Sequence, residues 1–279
     1  MEKTIELQRP NFSSFIFWKD REGLKWVDLH QCESRNTSTF RIIQLADQKY
    51  NFQSFSPIIV NTSDKKVGDE YSGLRMLSFS TDDENYNNVC PDFIFNHWTE
   101  VQIDDYEDTR KNLELLGNEK PETDMLGWRG ANTHHNRNFL VRYDDKKDFD
   151  VEFIVWDRSN PERLTCTNYV SMEDHVRKWR YLIDVEGHGW SARLKFFFFS
   201  KRLLFIQDRP HKEWFFPKLI PWKHYVPVKR DLSDLLENLQ KIKQNEELEK
   251  EIITNAFNFA QENLTRENAI QKWSEILTS

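Results

Sequence analysis

Short apolar runs alternate with polar turns and amphipathic stretches through the first half of the chain. Residues 12–30 hold two aromatic-rich runs separated by Lys-Asp-Arg-Glu-Gly, a pattern that predicts a β-hairpin. Three more apolar runs predict strands at residues 57–61, 74–80 and 93–98. Residues 104–116 have the spacing of a helix. This half therefore predicts strands that lead into helices.

The second half repeats the same pattern. Strands are predicted at residues 125–128, 149–156, 181–185 and 203–207. A short helix is predicted from Ser171, where Asp174 completes a capping-box spacing, and another at residues 191–200. A third helical segment is predicted from Asp231 to the end, with Asp231 and Asp234 at cap spacing. It carries an apolar stripe at Leu248, Ile252, Ala256 and Ala260. Short strands alternating with helices predict a parallel sheet and an α/β fold. The polar stretch near residue 120 predicts a boundary between two halves.

Composition excludes several classes of function. With 30% charged and 14% aromatic residues, the chain has the composition of a folded domain. The net charge of -7 argues against nucleic acid or an anionic membrane as the main partner. No apolar run approaches the ~20 residues of a membrane span, and residues 1–10 lack a signal-peptide core, so a cytoplasmic protein is expected. The three cysteines, without a Cys-x-x-Cys, predict neither a disulfide framework nor a zinc site.

A glycine-rich turn, Glu186-Gly187-His188-Gly189-Trp190-Ser191-Ala192-Arg193, follows a predicted strand and opens a predicted helix. Such a turn is often purely structural, because glycine adopts backbone angles that other residues avoid. Arg193, however, is poorly placed for the dipole of that helix. A diphosphate bound there would offset the repulsion and accept bidentate hydrogen bonds. The turn therefore predicts an anion site, with a structural turn as the alternative.

Two other segments allow competing interpretations. The pair His134-His135 suggests a metal, but no acidic or cysteine ligand lies at a suitable spacing, so a polar loop is favoured. Asp148-Phe149-Asp150 has the Asp-x-Asp spacing of some metal-dependent transferases. Because it lies inside a charge run, a solvated face is the better interpretation and no metal is predicted. Asp64, after an apolar strand, is on sequence alone an ordinary turn residue.

The glycine-rich turn described above lies within residues 179–235, which also contain Pro221-Trp222-Lys223-His224-Tyr225-Val226-Pro227-Val228. Residues 179–235 resemble the CAP10-type glycosyltransferases. This family includes protein O-glucosyltransferases and capsule xylosyltransferases. The resemblance extends from about residue 57 to the C-terminal helices through Asn61-Thr62-Ser63-Asp64 and Trp128-Arg129-Gly130. It implies a GT-B-like α/β fold with two Rossmann-like halves facing a cleft. Residues 1–120 would bind the acceptor, residues 121–245 the UDP-sugar, and residues 246–279 would form C-terminal helices.

The resemblance also implies roles for particular residues. Asp64 corresponds to the catalytic base, and Gly187, Ser191 and Arg193 to diphosphate ligands. Ala131 and Asn132 depart from the family pattern, which has Ser and often Arg there. The full set implied to bind substrate is Arg129, Gly130, Thr133, Arg137, Gly187, Gly189, Trp190, Ser191, Arg193, Asp208 and His224.

As implied by the resemblance, the protein is an inverting transferase that needs no metal or other cofactor and uses UDP-xylose or UDP-glucose. A compact chain without a signal is more like microbial or viral enzymes, and a glycan acceptor is favoured over a protein. The alternative is a non-catalytic protein that binds a sugar nucleotide or glycan. An unrelated nucleotide-binding enzyme such as a dehydrogenase is disfavoured, since no Gly-x-Gly-x-x-Gly follows an N-terminal strand.

Overall fold

The computed structural model describes residues 10–30, 32–157 and 165–278. Residues 1–9, which belong to the stretch without a signal-peptide core, lie outside the described residues. The chain divides into two compact units. The first unit consists of Met1–Tyr106, Pro210–Phe216 and Thr265–Ser279, and the second of Glu107–Arg209 and Pro217–Leu264. The assignment of acceptor and donor roles to separate halves stays a prediction.

The described elements follow one another from the N-terminal hairpin to the C-terminal helices. The strands are β1 (Ser14–Asp20), β2 (Gly23–His30), β3 (Phe55–Asn61), β4 (Glu70–Tyr71), β5 (Leu74–Ser78), β6 (Thr123–Gly130), β7 (Phe149–Phe153), β8 (Trp156–Asp157), β9 (Thr165–Cys166), β10 (Trp179–Asp184), β11 (Leu203–Gln207) and β12 (Val226–Val228). The α-helices are α1 (Glu33–Tyr50), α2 (Tyr106–Leu116), α3 (Asn136–Leu140), α4 (Met172–Lys178), α5 (Leu194–Phe199), α6 (Leu235–Lys243), α7 (Glu246–Asn263) and α8 (Arg266–Thr278). Within the described ranges, none of the helices combines the length and the apolar character that crossing a bilayer requires.

The first unit contains a mixed five-stranded sheet in the order β2-β1-β3-β5-β4. The predicted hairpin is confirmed, because β1 pairs antiparallel with β2 and the turn closes between Asp20 and Gly23. Gly23 has φ +122°, which suits a glycine in a tight turn. This sheet is mixed rather than wholly parallel, and a two-residue turn can join only antiparallel strands. Among the described strands of this sheet, β3 and β5 form the one parallel pair.

The second unit contains a five-stranded sheet in the order β12-β11-β10-β6-β7, and every pairing in it is parallel. The α/β prediction is confirmed by this unit. Gly127 of β6 lies under the ring of Trp179 of β10, where an added Cβ would be 1.7 Å from a ring carbon. Glycine is therefore required for the indole to pack across the sheet.

Three predicted elements differ from the structure. Residues 93–98 are not a strand: Phe93–Phe95 form a 3₁₀ turn, begun when the carboxylate of Asp92 accepts the N–H of Ile94 at 2.9 Å. Short apolar runs do not separate strands from helical turns by periodicity. The helix predicted at residues 191–200 is shorter, because α5 begins at Leu194 and leaves Arg193 at its N-cap.

The C-terminal segment is three helices rather than one. The carboxylate of Asp234 accepts the N–H of Lys229 at 2.9 Å, so it shapes the preceding turn instead of capping α6. Asn245 caps α7 by accepting the N–H of Leu248 at 3.0 Å. Thr265 and Asn268 cap α8 reciprocally, each side chain accepting the other's N–H. The apolar stripe predicted along α7 is confirmed, with its inward residues buried.

The last helix, α8, belongs to the first unit. The ring of Trp273 meets that of Phe17 edge-on, with 6.1 Å between centroids, and both side chains are fully buried. The guanidinium of Arg266 donates to the carbonyl oxygen of Phe95 at 2.7 Å and pairs with Asp105 at 2.6 Å. The core of the first unit therefore includes a residue of α8, which follows the second unit in the sequence.

A buried ion pair joins three strands of the second unit. The carboxylate of Asp150 accepts from the Arg129 guanidinium at 2.6 Å and from the indole N–H of Trp179 at 2.9 Å. The interpretation of Asp148-x-Asp150 as a solvated face is therefore wrong for Asp150. Burial raises the pKa of Asp150, but hydrogen bonds from Lys146, Arg129 and Trp179 outweigh it and hold the pKa well below its ordinary value.

Replacing Asp150 by Asn should lower the free energy of unfolding by about 3 kcal/mol at neutral pH, because the buried guanidinium of Arg129 loses its hydrogen-bonded counter-charge and is left with the more exposed Glu152 at 3.5 Å. Urea denaturation monitored by circular dichroism measures this loss. Folding lowers the pKa of the Asp150 carboxyl. The difference in unfolding free energy between the variant and wild type should therefore persist above the ordinary carboxyl pKa of about 3.9 and narrow only as the pH falls below it.

Asp148 is the matched control, two residues away in the same run. It pairs with Lys243 at 2.5 Å, with both side chains more than a quarter exposed. Asp148→Asn should cost under about 1 kcal/mol. Equal losses in the two variants would contradict the assignment of the buried pair as the stabilising one.

Candidate functional site

The second unit has a topological switch point beside β6. This strand pairs with β7 on one side and β10 on the other, and all three run parallel. The chain leaves β6 toward one edge of the sheet and later crosses to the opposite side. In open α/β sheets, ligands bind in the crevice at the carboxyl ends of strands where the direction reverses. The segments that follow β6 and β10 are therefore where a ligand site is expected.

Arg137 connects these two segments. Its Nε donates to the carbonyl oxygen of Glu186 at 2.8 Å and its Nη1 to that of Ala131 at 2.7 Å. Burial, followed by the charge of Arg193, lowers the pKa of Arg137 to about 10. The side chain is therefore a fixed cation at neutral pH, and carbonyl oxygens hold it.

Gly187 lies against the same cation. A Cβ at this position would be 2.8 Å from Nη2 of Arg137 and 3.3 Å from Oγ1 of Thr133. The glycine therefore leaves space in which a guanidinium and a hydroxyl approach the turn. Three residues predicted from the sequence are brought together here.

Arg193 completes the group from the N-cap of α5. Its Nη1 donates to the carbonyl oxygen of Arg129 at 2.7 Å. Burial lowers the pKa of Arg193, and Asp184 partly offsets this. Among the described residues, no carboxylate lies within ion-pairing distance of Arg193 or Arg137. Both guanidinium groups also lie over the ring of Trp128, at 5.3 Å for Arg137 and 6.0 Å for Arg193. Two cations held by carbonyl oxygens and an aromatic ring at a switch point form an anion-binding arrangement.

Ser191 lies beneath this group. Its hydroxyl donates to the carboxylate of Asp184 at 2.6 Å, and the same carboxylate pairs with Arg209 at 2.5 Å. Both ionic side chains are almost fully buried. Ser191 therefore connects the turn to a buried ion pair that the sequence analysis did not identify.

Arg129 and Gly130 have mainly structural contacts. The guanidinium of Arg129 turns into the protein toward Asp150, and only its carbonyl oxygen faces Arg193. A Cβ on Gly130 would be 2.5 Å from the ring of Trp128, so a glycine is needed for close packing. This geometry favours the salt-bridge alternative for Arg129 over direct contact with an anion.

Sequence reasoning gave no role to Glu186, which lies buried at the end of β10. Its carboxylate is 3.3 Å from Nδ2 of Asn136, 3.4 Å from Nη2 of Arg230 and 3.6 Å from Nε2 of His134. Burial lowers the pKa of His134, and the charge of Glu186 opposes that shift. The position just before Gly187 was the available signal, since it is a charged residue at a strand's carboxyl end.

Four more residues of this unit are predicted to bind substrate: Gly189, Trp190, Asp208 and His224. Trp190 and Gly189 are buried in the glycine-rich turn, and Asp208 is exposed just after β11. His224 accepts the N–H of Ile220 at 3.1 Å, and its ring lies 5.0 Å from that of Phe259. These contacts favour the structural alternative for the His224 loop.

Asp64 lies in the first unit, in a loop organised by Asn61. The side chain of Asn61 accepts the N–H of Ser63 at 2.9 Å and donates to the carbonyl oxygen of Lys65 at 2.7 Å. Asp64 projects from this loop with 40% of its side chain exposed and pairs with Arg35 at 2.8 Å. The Asn-x-x-Asp pattern thus has a geometric basis, because Asn61 fixes the backbone that carries the carboxylate.

An acidic cluster of Asp144, Asp150 and Glu152 could geometrically hold a cation, with ligand atoms within 4.8 Å of one another. Lys146 already occupies it, with Nζ 3.2 Å from Asp144 and 2.8 Å from Asp150. The negative charge is thus compensated by the protein itself, and the cluster gives no support for a metal site.

Comparison with known proteins identifies the family. The model of "Glycosyl transferase family 90" matches residues 55–279. Protein O-glucosyltransferase 1 of Rattus norvegicus is 38% identical over 158 residues, which are 54% of this chain and 40% of the rat protein. Protein O-glucosyltransferase 3 of the same species is 25% identical over 208 residues, 67% of this chain and 38% of that protein. The chain therefore spans less than half the length of these curated relatives.

Solved structures show only distant likeness. A glycosyltransferase from Rickettsia africae is 9% identical with a TM-score of 0.43, covering 90% of this chain and 83% of that one. TarM is 13% identical with a TM-score of 0.37, covering 62% of this chain and 32% of that one. Likeness at this level carries no inference about the site. The match to the family model covers most of the sequence, and the chain belongs to glycosyl transferase family 90.

Proposed function

We propose that this protein transfers a sugar from a UDP-sugar to an acceptor hydroxyl, with inversion at the anomeric carbon and without a metal ion. The observation that carries the proposal is the pair of arginines at the switch point, Arg137 and Arg193, held by carbonyl oxygens with no carboxylate to neutralise them in the described ranges. A diphosphate is the anion that a glycosyltransferase of this family would bring to such a site.

In this proposal the two guanidinium groups bind the diphosphate and stabilise the charge that develops as it departs. Gly187 lets the guanidinium of Arg137 approach the turn, and the hydroxyl of Thr133 beside it would supply a further donor. Fixed cations of this kind perform the charge stabilisation that a divalent metal supplies in other transferases. Metal independence follows from this assignment and is part of what is proposed.

Asp64 is proposed as the general base. The acceptor hydroxyl gives its proton to the Asp64 carboxylate as its oxygen forms a bond to the anomeric carbon. The bond from that carbon to the diphosphate oxygen breaks, and UDP leaves with the electron pair. Attack on the face opposite UDP inverts the configuration. The role of Asp64 rests on its exposed carboxylate and its place in the Asn-x-x-Asp loop of the first unit.

The names of the relatives favour one donor and one acceptor class. The curated relatives are named protein O-glucosyltransferases, which supports glucose over xylose and a protein hydroxyl over the glycan that the sequence favoured. UDP-glucose with a protein hydroxyl is therefore the first pair to assay, and UDP-xylose and glycan acceptors are the comparison arms. A non-catalytic sugar-nucleotide binder would bind UDP but release none from UDP-glucose.

Arg193→Met should weaken UDP binding at least about 10-fold, because the diphosphate loses a charged, bidentate donor. Its thermal stability should stay the same or rise, since a buried cation without a counter-ion is removed. Calorimetry measures the dissociation constant, and a thermal melt measures the stability.

Arg129→Met is the matched control, from the same site and with the same change of side chain. It should lower stability by about 1–3 kcal/mol, because Asp150 loses its buried guanidinium partner while the more exposed Lys146 still pairs with it. If Arg193→Met loses stability while keeping its UDP affinity, Arg193 is structural and the assignment fails.

Asp64→Asn should reduce glucose transfer or UDP-glucose hydrolysis by about 10²–10⁴-fold, because the acceptor proton has no base to receive it. UDP affinity should remain within twofold of wild type. A coupled assay of UDP release with and without EDTA measures the rate and tests metal independence. Asp82→Asn, an exposed aspartate of the same unit, should keep full activity. Wild-type turnover in Asp64→Asn would remove this residue from the mechanism.

A further inference from the structure

We propose that Arg35 is a positioning residue for the catalytic carboxylate. This inference rests on the role proposed above for Asp64. Arg35 lies in the first turn of α1, upstream of residues 55–279 that match the family model. Helix α1, which precedes the matched region, would thus supply part of the catalytic apparatus of the first unit.

The contact between Arg35 and Asp64 occupies only one carboxylate oxygen. Nη1 of Arg35 donates to Oδ1 of Asp64 at 2.8 Å and to the carbonyl oxygen of Thr62 at 3.2 Å. No hydrogen bond to Oδ2 of Asp64 comes from any residue in the part of the chain that the structure describes. Oδ1 of Asp64 is therefore held by Arg35, while Oδ2 can accept a hydrogen bond from an acceptor hydroxyl.

The guanidinium is itself held on its other side. Its central carbon lies 5.1 Å from the ring centroid of Phe93 and 6.0 Å from that of Trp98. Cations over aromatic faces at this distance are attracted by the ring quadrupole. The hydroxyl of Ser38, one turn further along α1, donates to the carbonyl oxygen of Phe93 at 2.8 Å. The aromatic segment and Arg35 are thus fixed to the same helix.

The neighbouring residue on α1 fixes the start of the Asp64 loop independently. The hydroxyl of Thr62 donates to Oδ1 of Asn36 at 2.6 Å. Nδ2 of Asn36 donates to the carboxylate of Asp28 at 2.9 Å and to the carbonyl oxygen of Ser14 at 3.1 Å. Asn36 is fully buried. Two consecutive residues of the helix therefore hold both ends of the segment from Thr62 to Asp64.

The geometry favours positioning over a purely stabilising ion pair. The Arg35 side chain is 21% exposed and that of Asp64 is 40% exposed, and pairs as open to water as this contribute little to stability. A general base must instead have its free oxygen in a defined place, and a displacement of about 1 Å can cost about 10²-fold in rate. A guanidinium bound to one oxygen restricts the rotation of the carboxylate and supplies that definition.

Arg35→Ala tests the inference, with UDP-glucose as the donor and water as the acceptor. We expect kcat for UDP release to fall by about 10²-fold, because the base is no longer held in place. KM for UDP-glucose and the dissociation constant of UDP should stay within twofold, since the anion site lies in the other unit. Arg41→Ala is the matched control, an exposed arginine on the same helix, and should behave as wild type.

The double variant Arg35→Ala/Asp64→Asn separates positioning from an independent effect. If Arg35 acts through Asp64, the double variant should be no slower than Asp64→Asn alone. Losses that multiply would overturn the inference. Full activity in Arg35→Ala would also overturn it when Asp64→Asn is inactive, whereas full activity in Asp64→Asn would refute the proposed base itself.

A second variant keeps the test valid if Arg35→Ala does not fold, and chemical rescue extends the test if it does. Arg35→Lys retains the charge but cannot contact Asp64 and the Thr62 carbonyl in the same fork, so an intermediate loss of about 10-fold in kcat is expected. Adding guanidinium ion at millimolar concentration should partly restore Arg35→Ala when that variant is folded. Wild-type kcat in Arg35→Lys together with absence of rescue would count against a positioning role.

Discussion

The buried pair between Asp150 and Arg129 is the interaction on which the anion site depends. Asp150 of β7 accepts from the guanidinium of Arg129 in β6 and from the indole of Trp179 in β10, so one carboxylate fixes the middle of the parallel sheet. With its side chain turned inward, Arg129 presents only its carbonyl oxygen to the site, where Arg193 is bound. An internal salt bridge thus sets the position of a cation that has no counter-ion of its own in the described residues.

The two units support different halves of the proposed chemistry by different means. In the second unit, carbonyl oxygens at the ends of β6 and β10 hold Arg137 and Arg193, so their positive charge is kept in place without being cancelled. In the first unit, a helix and an Asx-type turn hold one carboxylate while leaving it partly exposed. Charge held in a fixed place is common to both. The two arginines have no carboxylate partner in the described residues, whereas Asp64 is paired with Arg35 through one oxygen and keeps the other accessible.

The sequence predicted those features of the fold and of the site that depend on one local rule. The parallel strands and the glycine-rich turn followed from apolar runs and from their polar ends, and Gly187 does lie beside Arg137. The sequence did not predict the features that tertiary contacts determine. Nothing near Arg129 in the sequence shows that its guanidinium faces Asp150, twenty-one residues away, or that Arg35 reaches Asp64. Long-range pairing of charges has no periodic signature.

The return of α8 to the first unit has a consequence for synthesis of the chain. Trp273 fills the core beside Phe17, and Arg75 donates to the carbonyl oxygen of Ile276 at 3.2 Å. The hairpin of β1 and β2 is synthesised long before α8, so its hydrophobic interior closes only after that helix has been made. During that interval the continuous central stretch of the second unit is already available to fold, so maturation of this protein should proceed from the middle outward.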